Sequence, residues 1–119
     1  MDKVNLAEKF SRIDEVYKPK LVAEYNDNKL ILTRARGEFV WHKHDETDDL
    51  FLVISGRLVI QLRDRDVELN AGELFVVPRG VEHCPRADPE AEILVMEPMG
   101  TTNTGDGPVG ELTADPERI

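Results

Sequence analysis

The sequence predicts an all-β fold, a sandwich or barrel of short strands with one short helix at the N-terminus. Three observations support this prediction. Short runs of β-branched, aromatic and leucine residues recur through the chain, turn-forming residues separate them, and no long segment shows helical periodicity. A length of 119 residues suits one domain, which we place over 1–119.

The N-terminal helix is predicted over residues 5–17. Asn5 is a typical N-cap, and Glu8 three positions later nearly completes a capping box. Apolar side chains then recur at helical spacing, at Leu6, Phe10, Ile13 and Tyr17. Pro19 stops the helix, because a proline has no backbone N–H to donate. We expect this helix to cover one end of a β core.

The β region is predicted over residues 20–99. KLVAEY and KLILTRAR flank Asn26-Asp27-Asn28, which is a hairpin signal. The later strand candidates are bounded by glycine, proline, asparagine or aspartate, and they read FVWHKH, LFLVISG, RLVIQL, DVEL, ELFVVP and EILVME. LFLVI and LFVVP are apolar at every position, so we expect both to be buried on both faces. After Met99 small polar residues and glycine dominate, which predicts an extended tail over 100–119.

The charge balance argues against two classes of partner. The chain has 24 acidic and 15 basic residues and a net charge of -9, so it lacks the basic footprint that nucleic acid and anionic membranes require. No apolar run is long enough for a membrane span, and MDKVNLAEKF lacks the apolar core of a signal peptide. We therefore expect a cytoplasmic protein. The single cysteine, Cys84, fits a reducing compartment and is interpreted as a small buried hydrophobe.

The histidines are the candidate functional residues. His42 and His44 are two residues apart, so in a strand both side chains project from one face and reach one metal ion. Alone, such a pair is more often ordinary polar surface. The third histidine, His83, ends the run GELFVVPRGVEH. Glu38 shares the histidine face of the same predicted strand, which makes it either a general base or a solvated charge.

Two motifs punctuated by glycine hold these histidines. The first contains Gly37, His42, His44, Asp49 and Gly56, and the second contains Gly72, Pro78, Gly80 and His83. Both resemble the signature motifs of the cupin superfamily, and the chain is most similar to small single-domain cupins of the mannose-6-phosphate isomerase-like group. It departs from the family pattern at three points: the first spacer is one residue short, Asp49 replaces glutamate, and Ala87 replaces asparagine.

The resemblance implies a jelly-roll β-barrel of two antiparallel sheets that encloses a metal ion. Matched residue by residue, it implies as ligands His42, His44, Asp49 and His83. Three imidazoles and a carboxylate suit one divalent ion of Fe, Mn, Ni, Cu or Zn. Since aspartate is one methylene shorter than glutamate, we expect Asp49 to reach the ion through a backbone shift or a bridging water. Asp48 is the alternative ligand.

Three functions are compatible with this pattern. The first is a metal-dependent enzyme of isomerase or dioxygenase type that acts on a small polar organic substrate. The second is a non-catalytic module that binds a small molecule, and the third is a metal-free structural barrel. Under all three we expect a homodimer, because open β-structures have edges to cover and similar cupins pair through their outer strands.

Overall fold

The computed structural model describes residues 2–119. Within that range one short helix precedes seven strands: α1 Leu6–Phe10, β1 Lys20–Tyr25, β2 Asn28–Glu38, β3 Asp49–Leu62, β4 Asp66–Asn70, β5 Leu74–Val77, β6 His83–Pro98 and β7 Glu117–Arg118. The all-β prediction is confirmed. Across the described residues, no helix has the length and hydropathy needed to cross a membrane.

The N-terminal helix is shorter than the predicted span of 5–17. Asn5 caps it as expected, because its Oδ1 accepts a hydrogen bond from the Glu8 N–H at 3.0 Å. The helix then ends at Phe10 after five residues. A helix of this length is marginal in water, so packing of Phe10 against the sheet stabilises it.

Arg34 on β2 explains why the helix ends early. Its guanidinium donates hydrogen bonds to the carbonyls of Phe10 and Ile13, which satisfies backbone groups that a helix end leaves free. The Tyr17 N–H donates to the Arg34 carbonyl at 2.8 Å, and Tyr17 takes a left-handed backbone conformation with φ 56°. Contacts with a distant strand therefore override the helical periodicity of this segment.

The strands form one continuous hydrogen-bonded sheet in the order β4-β3-β6-β2-β1-β7, with β5 also paired to β3. All of these pairs are antiparallel except β1 with β7. Asn26 and Asp27 close the β1–β2 hairpin at the predicted position. β3 pairs with β6 over most of its length, with β5 at its start and with β4 at its end.

Two strand predictions differ from the structure. LFLVISG and RLVIQL form the single strand β3, which passes Gly56 with shifts of register on both sides. FVWHKH is not a strand. After a register shift near Gly37, β2 ends at Glu38, and an irregular segment over 39–48 follows. We call residues 39–48 the histidine segment.

Side chains at alternate positions of β2 divide the core into two clusters. Ile31 points into the main cluster, where Phe51 is one of its buried members. Leu32 points to the other face, where it packs with Phe10 and Ile13 from the N-terminal segment. The N-terminal region therefore covers part of the outer face of the sheet.

The C-terminal region does not form the extended tail predicted over 100–119. Thr104 is fully buried, and Leu112 packs against the main cluster. At its end β7 pairs with β1, and the Ile119 N–H donates to the Leu21 carbonyl at 3.1 Å. The glycine-rich composition reflects tight turns and close packing here.

The run LFVVP also differs, because it is not buried on both faces. On β5, Leu74 is 57% exposed and Val76 is 41% exposed. Among the described strands β5 pairs with β3 alone, so this strand is an edge of the sheet.

Candidate metal centre

The structure brings together the four residues that the sequence motifs predict. His42 and His44 lie on the histidine segment, Asp49 is the first residue of β3, and His83 is the first residue of β6. All four are buried, and one potential ligand atom from each lies within 4.8 Å of the others. Donors around one ion lie about 3–4 Å apart, because each metal–ligand bond is about 2.1 Å. The group is close to that spacing.

Backbone hydrogen bonds hold the histidine segment against β6. The His42 N–H donates to the His83 carbonyl at 3.0 Å, and the His83 N–H donates to the His42 carbonyl at 2.9 Å. The Gly80 N–H donates to the His44 carbonyl at 2.8 Å. The bridge to His83 holds His42, and the bond from Gly80 holds His44. Both histidines therefore reach one site, as alternation in a strand was expected to allow.

The hydrogen bonds of the rings leave metal-binding nitrogens free. Nδ1 of His42 lies 2.9 Å from the Val40 carbonyl, and Nδ1 of His83 lies 2.9 Å from the Val81 carbonyl. A carbonyl only accepts, so each Nδ1 carries the proton and each Nε2 presents a lone pair. This arrangement is common for histidine ligands, whose second nitrogen is held by a backbone or carboxylate acceptor.

Several buried polar atoms of the group lack a hydrogen-bond partner. Within residues 2–119 this holds for Nε2 of His44, Nε2 of His83 and Oδ1 of Asp49. The other carboxylate oxygen, Asp49 Oδ2, lies 3.3 Å from His44 Nε2. Unpaired buried polar atoms are costly and therefore call for a specific explanation. Three nitrogens and one carboxylate oxygen converging on one point fit a divalent transition metal ion.

Burial also keeps the imidazoles in the form that binds a metal. Desolvation, followed by repulsion from His83, lowers the pKa of His42 to about 4. Burial lowers the pKa of His83 as well. Both rings are consequently neutral near pH 7, and no proton must leave before a metal binds.

The structure separates the two alternative carboxylates. Asp48 faces solvent, and its Oδ1 accepts a hydrogen bond from the Arg79 N–H at 2.9 Å. Asp49 is 3% exposed and belongs to the four-residue group. Because β3 begins at Asp49, its backbone already lies beside the histidines. Its Oδ2 lies 3.3 Å from the Nε2 atom of His44.

Glu38, the predicted candidate base, lies outside this group. It is the last residue of β2, and its side chain is exposed. The prediction depended on FVWHKH continuing as a strand, and the chain leaves the sheet at that point. The structure therefore favours the reading of Glu38 as a solvated charge.

A cavity of about 50 Å³ adjoins His42 and Asp49. Its walls are mainly apolar and include Ile31, Phe39 and Phe51. A single buried water needs about 10–15 Å³, so this volume accommodates a few waters or a ligand of a few heavy atoms. An organic group bound in this cavity would lie directly beside the candidate metal ligands His42 and Asp49.

Glu97 is a site residue that the sequence reasoning missed. It lines the same cavity, is 3% exposed, and its Oε1 lies 3.6 Å from the buried Lys29 Nζ. Burial and the nearby charge of Asp49 raise the pKa of Glu97 to about 8. The sequence did contain a sign that Glu97 is buried. Glu97 has the same parity on β6 as Ile93 and Val95, whose side chains point inward.

Comparison with known families agrees with this geometry. The family described as Cupin domain matches residues 30–97, which is more than half of the chain. The chain is a cupin. A solved cupin-2 domain protein from Shewanella frigidimarina is 44% identical, with a TM-score of 0.79, and the match covers 80% of this chain and 93% of that one. The jelly-roll cupin fold predicted from the motifs is thereby confirmed.

Two curated relatives of this cupin each match about half of the chain. The uncharacterized protein YdbB of Bacillus subtilis is 34% identical over 67 residues, covering 56% of this chain and 59% of that protein. A 3-hydroxyanthranilate 3,4-dioxygenase of Xanthomonas euvesicatoria is 31% identical over 70 residues, covering 56% of this chain and 40% of the enzyme. The chain therefore spans about half the length of the curated relatives that it matches.

Proposed function

We propose that this cupin is a metal-dependent enzyme of dioxygenase type that acts on a small hydroxylated organic substrate. The observation that carries the proposal is the buried group of three imidazoles and one carboxylate beside a mainly apolar cavity. The residues that hold the ion are His42, His44, Asp49 and His83. A divalent ion of Fe, Mn, Ni, Cu or Zn held there would supply Lewis-acid or redox chemistry.

The other cavity residues bind and orient the substrate. The apolar side chains of Ile31, Phe39 and Phe51 hold its carbon skeleton and exclude water. In the metal-free protein Glu97 keeps its proton near pH 7 because its pKa is raised to about 8. Its carboxyl group forms a hydrogen bond with a hydroxyl of the substrate, and the buried Lys29, 3.6 Å away, holds the carboxyl group in place.

The relatedness to a 3-hydroxyanthranilate 3,4-dioxygenase supports dioxygenase chemistry over the other chemistries considered. The alternative is a non-catalytic module that binds a small molecule. One observation favours this alternative. The match covers only 40% of the dioxygenase, so the rest of that enzyme, which its activity could require, lies outside the match. Isomerase chemistry, implied by the resemblance to the mannose-6-phosphate isomerase-like group, is the remaining enzymatic alternative.

Elemental analysis combined with oxygen uptake tests the proposal. Untagged protein purified without added metal or chelator is compared with a His42→Ala, His44→Ala variant and with Asp48→Asn as a matched control. We expect near-stoichiometric metal in the wild type and in the control, and none in the double variant. No metal in any protein, even after reconstitution with each of the five ions, would contradict the proposal.

Oxygen uptake then separates the candidate functions. The loaded wild type is given small phenols, catechols and hydroxy acids in an oxygen electrode. Consumption of oxygen that requires both metal and substrate supports dioxygenase chemistry. Product formation under argon supports the isomerase. Thermal stabilisation by a ligand that is recovered unchanged supports the binding module. The homodimer and the cytoplasmic location remain predictions of the sequence.

A further inference from the structure

We propose that residues 103–107, read NTGDG, form a C-terminal clamp that positions His42 and thereby raises the metal affinity of the site. The proposal rests on the metal site proposed above. It concerns residues that belong to neither cupin motif and that lie beyond the matched region 30–97. Their role is to position a ligand rather than to bind the ion.

Two glycines bring the backbone of the clamp directly against His42. A Cβ added at Gly105 would lie 2.4 Å from the Lys43 carbonyl oxygen and 2.9 Å from Cδ2 of the His42 ring. A Cβ at Gly107 would lie 2.9 Å from the Trp41 carbonyl oxygen and 3.1 Å from the His42 Cβ. No other residue type fits at Gly105 without displacing a backbone atom, and its φ of 53° also favours glycine.

Asp106 fixes the backbone between the two histidines. Its Oδ1 accepts a hydrogen bond from the Lys43 N–H at 2.8 Å. The Asp106 N–H donates to the Lys43 carbonyl at 3.2 Å. Lys43 thus has both backbone groups bonded to one residue of the clamp. Because Lys43 stands between His42 and His44, its position helps to set the spacing of both ligands.

The far side of the clamp is anchored in the protein. Thr104 is fully buried, and its Oγ1 lies 3.1 Å from the Thr113 Oγ1. Asn103 donates from Nδ2 to the Leu112 carbonyl at 2.8 Å and accepts at Oδ1 from the Ala114 N–H at 3.0 Å. Since Leu112 packs against the main cluster, the clamp transmits the rigidity of the core to the histidine segment.

The histidine segment needs this support because it has no strand ladder of its own. Within residues 2–119 its one β-bridge to a strand is that between His42 and His83, and the Phe39 N–H adds a single bond to the Pro85 carbonyl at 2.8 Å. Ligand positions must hold within about 0.5 Å for tight binding, and partners outside the ligand set change metal affinity by about 10- to 100-fold. The clamp lies outside the ligand set and supports His42 through the packing of its backbone.

The first test compares two glycines of the same region. Gly105→Ala introduces the contacts with Lys43 and the His42 ring. Gly110→Ala is the matched control, because a Cβ there meets nothing within 4 Å. The dissociation constants of Zn²⁺ and Co²⁺ are measured by competition with a chromogenic chelator. We expect Gly105→Ala to weaken binding by about 10- to 100-fold and Gly110→Ala to leave it unchanged.

A second pair of variants keeps the proposal testable where Gly105→Ala does not fold. Asp106 is exposed, so Asp106→Ala removes the acceptor of the Lys43 N–H without emptying a core position. Asp106→Asn retains an oxygen acceptor at the same place. We expect Asp106→Ala to weaken Co²⁺ binding and alter the Co²⁺ absorption spectrum, and Asp106→Asn to restore both. Circular dichroism and melting of the metal-free proteins verify that each variant is folded.

The outcomes distinguish the clamp from the metal site. If the wild type binds no metal, the metal site and the clamp fail together. If the wild type binds metal and folded Asp106→Ala binds it with the same affinity and spectrum, the clamp is refuted and the metal site stands. Equal weakening by Gly110→Ala would also refute the clamp, because that change makes no contact with His42.

Discussion

At the scale of single residues, Asp49 brings a carboxylate into the buried histidine group. The cupin motif has glutamate at this position, and the shorter aspartate was expected to need a backbone shift or a water. The strand β3 begins at Asp49 itself, directly after the histidine segment. Its carboxylate lies 3.3 Å from Nε2 of His44, and whether it reaches the ion directly or through a water stays a prediction.

Removing the charge of this carboxylate is expected to weaken metal binding. Asp49→Asn keeps the size of the side chain and loses the anionic oxygen, so we expect the affinity for Zn²⁺ to fall at least about 10-fold. Competition with a chelator measures this change. The neighbouring Asp48→Asn is the control, because Asp48 is bonded to Arg79 and lies outside the group. Equal effects of the two variants would argue against Asp49 as a ligand.

The lowered pKa of His42 predicts how the metal-free protein responds to acid. The folded-state pKa is about 4, against 6.5 for an unperturbed histidine. Between these pH values the unfolded chain binds a proton that the folded chain does not, so the free energy of unfolding decreases as the pH falls. The contribution of His42 is at most about 3 kcal/mol.

Urea unfolding of chelator-treated protein from pH 7 to pH 4 measures this dependence. We expect His42→Gln to show a shallower loss of stability than the wild type. Some dependence should persist, because the pKa of His83 is also lowered. Parallel curves for the two proteins would show that His42 does not carry the effect.

At the scale of elements, the long strands β3 and β6 depend on a glycine where they change register. Gly56 has φ 79°, and a Cβ there would lie 2.3 Å from the Glu90 carbonyl oxygen on β6. Gly72 has a similar φ of 85°, but a Cβ there meets nothing within 4 Å. The two positions separate the cost of backbone conformation from the cost of close packing.

This contrast gives a quantitative prediction. Gly72→Ala should lower the free energy of unfolding by about 1–2 kcal/mol, which is the cost of the left-handed conformation alone. Gly56→Ala adds a steric conflict between strands and should cost about 3 kcal/mol or more. Urea unfolding of both variants measures the difference. Equal losses would mean that β3 and β6 separate easily at Gly56.

The elements were predictable where local signals dominate. The β1–β2 hairpin, the Asn5 cap and the strands around the second motif follow from turn residues and alternation in the sequence. The length of α1 was not predictable, because Arg34 lies more than twenty residues from the carbonyls that it binds. The strand predicted for FVWHKH failed for a similar reason, since partner strands decide where a sheet ends.

The residues of the candidate site also divide into those that the local sequence predicted and those that it did not. The three histidines and Asp49 were found because the motif spacing is specific. Glu97 was overlooked, although its inward parity on β6 was readable from the sequence. The clamp was interpreted as a tail, because small residues and glycines give the same composition whether they are disordered or closely packed. Only the fold shows that a Cβ at Gly105 would meet the His42 ring.

At the scale of the whole molecule, the N-terminal region covers only part of the outer face of the sheet. On the edge strand, Leu74 and Val76 are exposed. Val76 stands opposite Leu50, which in turn stands opposite Met96, so an apolar row crosses three strands. Such a row beside an open edge is typical of a surface that another subunit covers.

We therefore expect a homodimer that pairs through this row. Val76→Lys places a charge in the interface and should give a monomer in sedimentation velocity at micromolar concentration. Val109→Lys is the control, because Val109 is 85% exposed and lies far along the chain from β5. A wild type that sediments as a monomer at the same concentration would overturn this prediction.

The site is divided between backbone in long strand ladders and backbone held by a few separate hydrogen bonds, and this has a kinetic consequence. Asp49 and His83 belong to strands that pair with each other almost from end to end, whereas His42 and His44 belong to the histidine segment. Amide deuterium uptake in metal-free protein should therefore be fast over 39–48 and slow in β3 and β6. Adding Zn²⁺ should slow uptake chiefly in that segment, so local opening of the histidine segment sets how quickly the ion enters and leaves.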